Sequence, residues 1–137
     1  MSPQADDLRN VYKQRLLNVA KALRESPAPD QFRMDDVIND CGTPACAFGH
    51  YACRADLQSA YCPQVIHFDR GDVWHVVLSG TSTHVSYTGQ HVREHFGLDR
   101  SEVTELFEGD GCGMANTANE AANYIEQFVA RKYGSAA

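Results

Sequence analysis

Apolar residues recur at the helical period in the first stretch of the chain. Leu8, Tyr12, Leu16, Val19, Ala20 and Leu23 follow at steps of four, four, three, one and three, which trace one face. Arg9, Lys13, Arg15, Lys21 and Arg24 take much of the remaining surface. This pattern predicts a helix over 6–25, stopped by Pro27 and Pro29, which disfavour helical backbone just before them. Phe32 to Ile38 has no clear period and reads either as a short strand or as an irregular segment pinned by Phe32 and Met34. A second helix has a marked start: Thr43 suits the N-cap, and Pro44 the first helical position, where its missing N–H costs nothing. The expected span is 44–57. Cys46, Gly49, Cys53 and Leu57 share one face, with His50 and Ala52 beside it. Small side chains there let another backbone approach closely, so this helix is expected to be central and buried.

The pattern then changes to β. Val65-Ile66-His67-Phe68 and Val73 to Leu78 flank Asp69-Arg70-Gly71-Asp72, a hairpin with a four-residue loop. Ser79-Gly80-Thr81-Ser82 is a turn, and Thr83 to Tyr87 offers a third short strand, so the β section covers 64–87. Helical patterning returns with short segments at 90–96, ended by Gly97, and 100–107, opened by the capping box Asp99-Arg100-Ser101-Glu102. A glycine-rich turn from Gly109 to Gly113 follows. Thr117-Ala118-Asn119-Glu120 opens a final helix over 118–132, with Ala121, Tyr124, Ile125, Phe128 and Val129 inward. The expected fold is α+β: one mostly helical domain over 1–137 with a small antiparallel sheet, a hairpin or three-strand meander, in the middle.

Composition narrows the function classes. The 137 residues suit one domain, and 43% apolar with 22% charged residues suits a folded one. Twelve basic against 18 acidic residues give a net charge of −6, the opposite of a nonspecific nucleic-acid binder. The longest apolar run, Val73 to Leu78, contains His75 and is far too short to span a membrane. The first residues lack the basic start and apolar stretch of a secretory signal, so a cytoplasmic protein with reduced cysteines is expected. Five cysteines are an odd number, so complete intrachain pairing leaves one thiol over.

Four constellations could carry chemistry. Cys41, Cys46, His50 and Cys53 form C-x4-C-x3-H-x2-C, four N/S donors of the kind that hold tetrahedral zinc. The competing reading makes these cysteines small, buried apolar residues, and it is the one favoured, so no cofactor is expected beyond this zinc alternative. A second set pairs Cys46 near a helix start, where amides and dipole favour thiolate, with His75 on a strand as base and His84 to orient it, in the order of a papain-like thiol hydrolase. The gap of 29 residues from Cys46 to His75 is short for such folds. Third, Gly97-Leu98 with Val103 and Leu106 has helix-turn-helix spacing, but Asp99, Glu102, Glu105 and Glu108 would repel phosphate. Fourth, Glu108 to Gly113 is an acidic glycine loop whose oxygens could hold a cation, although a tight turn is the simpler account; its Cys112 could pair with Cys41 or Cys46. The six histidines between 50 and 95 are read as scattered surface residues, with a pH response near 6 as the alternative.

Taken together, Cys41-Gly42-Thr43-Pro44-Ala45-Cys46-Ala47-Phe48-Gly49-His50, the later Gly97-Leu98 through Leu106-Phe107, and the glycine turn with its Ala-rich last helix resemble a family of small, uncharacterised bacterial and phage proteins. That family carries a C-G-T-x-x-C-x-x-G-H/W signature. The resemblance covers roughly 30–130 and implies a compact helix-rich domain in which Gly42, Thr43, Gly49, Gly97, Leu98, Leu106 and Phe107 are structural. It also implies that His50, replaceable there by Trp, fills space. The resulting expectation is a small intracellular accessory protein, more a binder of a protein partner than an enzyme, with the thiol hydrolase and the zinc-stabilised domain as rivals.

Overall fold

The computed structural model describes residues 3–26, 46–69, 71–86, 89–107 and 117–134. The first helix, α1, spans Pro3–Arg24. Leu16, Val19, Ala20 and Leu23 are buried as their spacing predicts, and Tyr12 is half-buried. Leu8 departs from the expected inner face and stands 51% exposed, because the packed part of the helix begins only at the following turns.

The last helix, here α5, spans Ala118–Tyr133 and lies antiparallel to α1. Arg24 holds Glu126 at 2.6 Å and Asn123 at 2.6 Å near one end. At the other, Arg9 donates to the Lys132 carbonyl and lies over the Tyr133 ring. Ala121, Ala122, Ile125, Phe128 and Val129 form the buried stripe of α5, and the Thr117 hydroxyl caps it by accepting from the Glu120 N–H.

Three short helices and a hairpin lie between these two helices in the chain. Helix α2 is Ala47–Ala52, α3 is Gln90–Phe96 and α4 is Arg100–Phe107. All of α2 is buried. It is shorter than the expected 44–57. Cys46 is its N-cap and Cys53 its C-cap, and residues 54–58 turn through i+3 and i+4 hydrogen bonds to Arg54. Gln58 replaces what a longer helix would have supplied: its buried amide donates to the Ala52 and Tyr61 carbonyls and accepts from the Tyr61 N–H.

Strands β1, Tyr61–Phe68, and β2, Gly71–Leu78, pair antiparallel from Tyr61↔Leu78 to Phe68↔Gly71. They are longer than the sequence pattern suggests, and the connection is two residues, not four. Gly71 takes φ +124°, a backbone conformation open to glycine and strained for other residues. The expected third strand shrinks to one bridge, Val77↔His84, extended by the Val85 N–H donating to Val76 O. The sheet is therefore a hairpin, and the fold is α+β and mostly helical.

The capping box at α4 closes in both directions, Glu102 N–H to Asp99 Oδ1 and Asp99 N–H to Glu102 Oε1. Glu102 also pairs with Lys132, and Glu105 with Arg131 and Tyr124, so these two acidic residues tie α4 to α5. Gly97 ends α3 in the left-handed region at φ +63°, and its missing Cβ is doubly required, since the Tyr12 ring occupies that space. No helix among the described residues is long and apolar enough to cross a membrane.

Candidate functional site

Six rings meet at the centre of the domain. Phe48 and Tyr51 of α2 pack against Tyr61 at the root of β1, His95 and Phe96 of α3, and Phe107 of α4, with neighbouring centroids 4.8–6.5 Å apart. Offset and edge contacts of this kind add to the burial energy of each ring. Two polar contacts run through the cluster. The Tyr51 hydroxyl and His95 Nε2 are 2.6 Å apart, and Arg15 donates to the His95 carbonyl at 2.6 Å. Burial, assisted by the Arg15 charge, pushes His95 down to about 4, and burial pushes Tyr61 up to about 12 and Tyr51 higher still. His95 is therefore a neutral imidazole at pH 7. Nothing in the spacing of apolar residues marks His95 as part of this centre; its place directly before Phe96 on α3 was the available signal.

Three of the four zinc donors that the sequence offers, Cys46, His50 and Cys53, are among the described residues. Cys46 is 1% exposed, and its sulfur accepts from the Gly49 N–H at 3.4 Å. His50 is also buried. Its Nδ1 lies 2.8 Å from the Cys46 carbonyl, which can only accept, so that nitrogen carries the proton. Nε2 then accepts from the Ser26 hydroxyl at 2.7 Å in the neutral ring. Burial lowers His50 from its ordinary value, in keeping with this neutral form. Cys53 is half-buried, and burial pushes its thiol up to about 11. Among the described residues no three His, Cys, Asp or Glu side chains converge on a point. Cys41, Gly42, Thr43, Pro44, Cys112 and the 108–113 loop lie outside the described residues, as do Phe32 to Ile38 and Tyr87.

The hydrolase residues fall on two sides of the sheet. Strand side chains alternate between faces. Val76 and Trp74 of β2 pack on the core cluster that also holds Cys46, so His75 points the other way. There His75 Nε2 donates to Gln64 Oε1 at 3.1 Å, and its ring stacks on His84 with centroids 5.2 Å apart. Burial and the neighbouring His84 both lower its pKa. Cys46 thus caps a buried helix, while His75 and His84 belong to the outer face of the hairpin.

That outer face changes character toward its tip. Val77, at the root, is buried, and Cys62, Gln64 and His75 are half-buried. Ile66 pairs with Val73, which is 51% exposed, and Phe68 beyond them is 57% exposed. Two large apolar side chains are thus exposed toward the tip of the two-stranded ribbon. Compared with models of known families, with curated proteins and with solved structures, the chain matched none.

Proposed function

We propose that this is a small, non-enzymatic binding protein that engages a protein partner through the outer face of its β1–β2 hairpin. The observation that carries this reading is the pair of exposed apolar side chains, Phe68 and Val73, presented beside Ile66 on one face of the ribbon. The same face combines an apolar tip with polar groups at its root, the arrangement of protein interfaces with a water-excluding centre and a polar rim. The acidic balance of the chain favours a partner whose contact surface is basic around an apolar centre. A bacterial or phage type and a cytoplasmic setting belong to the same reading; the first has only the resemblance of Cys41 to His50 and of Gly97 to Phe107 in its support.

The test is site-specific photocrosslinking in a bacterial host. A photoreactive phenylalanine in place of Phe68 should give one discrete heavier adduct, lost when Val73→Asp is added. The same group in place of exposed Asn119 should give none. Identical adducts from both positions would overturn the reading.

A further inference from the structure

An open cleft of about 420 Å³ lies between α1 and α3, lined by Tyr12, Gln90, Arg93, Glu94, Gly97 and Leu98. We propose that this cleft binds a small monocarboxylate carried on an apolar body, with Arg93 gripping the carboxylate. The volume is that of an ordinary small-molecule site. Its floor is preformed, because the Tyr12 ring rests where a side chain at Gly97 would otherwise stand.

Arg93 points to the ligand's charge. Three arginines among the described residues are half-buried. Arg15 donates to the His95 carbonyl, and Arg54 grips Asp56 at 2.6 Å and Glu25 at 2.7 Å. Arg93 has neither kind of partner among the described residues: its Nε is buried without a hydrogen bond, and no described carboxylate pairs with it. The planar guanidinium fork matches a carboxylate or a phosphate.

Glu94 decides between them. It lines the same cleft, and its Oε1 accepts from Gln90 Nε2 at 2.8 Å, which holds the negative charge in place. Adjacent helix positions do not face each other, so Glu94 leaves Arg93 unpaired. Repulsion from that carboxylate grows with the ligand's charge, so a dianionic phosphate meets it more unfavourably than a single negative charge does. The apolar body has matching walls in the Tyr12 ring and Leu98. Leu8, one helical turn before Tyr12 on the same face of α1, is 51% exposed.

Hexanoate is the probe, added to isotope-labelled protein while backbone amide shifts are followed by NMR. Binding should move the amides of Tyr12, Gly97 and Leu98 saturably. Arg93→Gln should weaken it by about tenfold or more, Arg93→Lys by less because the charge remains without the fork, and exposed Arg100→Gln should leave it unchanged. Hexanol should not bind, and hexyl phosphate should bind more weakly than hexanoate. Unperturbed cleft amides, equal affinity in the Arg93 and Arg100 variants, or hexyl phosphate binding as tightly as hexanoate would each overturn the proposal. The spectrum of each free variant reports whether it is folded, and Arg93→Lys keeps the test decisive if Arg93→Gln is not.

Discussion

The ring cluster around α2 and the tip of the β1–β2 hairpin are built from the same kinds of residue and treat them in opposite ways. Phe48, Phe96 and Phe107 are fully buried, whereas Phe68, on a strand that begins inside the same cluster at Tyr61, is 57% exposed. Residue type therefore says little about role here; what separates the two regions is the number of elements that close over each. Three helices and a strand root surround Phe48, while the ribbon near Phe68 has two strands and no third layer among the described residues. The centre holds the domain together, and the tip leaves Phe68 and Val73 exposed.

The sharpest way to break this comparison is a matched pair of truncations. Phe48→Ala should cost about 3–5 kcal/mol in urea denaturation, the usual loss for a buried phenylalanine, and Phe68→Ala less than about 0.5 kcal/mol. Equal losses would mean that the tip is a structural surface. A second pair uses two glycines with positive φ. Gly97→Ala must strain the backbone and also displace the Tyr12 ring, so roughly 2–3 kcal/mol is expected; Gly71→Ala meets nothing within 4 Å and should cost only the conformational part, about 1–2 kcal/mol. Comparable values would place the hairpin turn under the same packing control as the core.

Histidine titration gives the finest contrast. His95 is held near 4 in the folded state, against an ordinary value of 6.5. Below about 6.5 the unfolded chain takes up a proton that the folded one resists, so stability is complete above that pH and falls as the pH drops toward 4. His50, also lowered by burial, acts in the same direction. Discounted for solvent screening at a partly exposed ring, the His95 share is on the order of 2 kcal/mol. Denaturation midpoints followed from pH 7 to pH 4 should fall clearly in the parent and in His75→Gln, and fall much less in His95→Gln. A steeper loss removed by His75→Gln than by His95→Gln would move the pH-sensitive group from the core to the ribbon.

The parts of this arrangement that are legible along the chain are those set by near neighbours. Helix α1, the Asp99–Glu102 box, the Thr117 cap and the Gly97 stop each depend on residues within a turn or two, and short-range spacing carries that information. The end of α2 does not. A run of small residues is compatible with helix through Leu57, but the chain leaves it at Ala52 because the Gln58 amide supplies partners to Ala52 and to both backbone groups of Tyr61. Pairing of that kind needs the folded position of a strand that follows. The candidate sites were obscured for the same reason. Cys46, His50 and Cys53 have spacing suited to metal; that Ser26 reaches one His50 nitrogen and the Cys46 carbonyl the other shows in no motif. Arg93 looks like any helix-terminal base until its lack of a partner is set beside Arg15 and Arg54.

Tyr61 belongs to both regions, and this makes the hairpin a lever with its fulcrum in the ring cluster. From Phe68 to Tyr61 the strand is about 23 Å long. Its inner end is clamped by the Gln58 amide, by the Phe48 and Tyr51 rings, and by the His95 ring against its own. A partner that pulls or tilts the tip therefore delivers that displacement to the imidazole whose neutral state depends on staying enclosed. Engagement at the far end of the ribbon would be audible as a changed titration of His95.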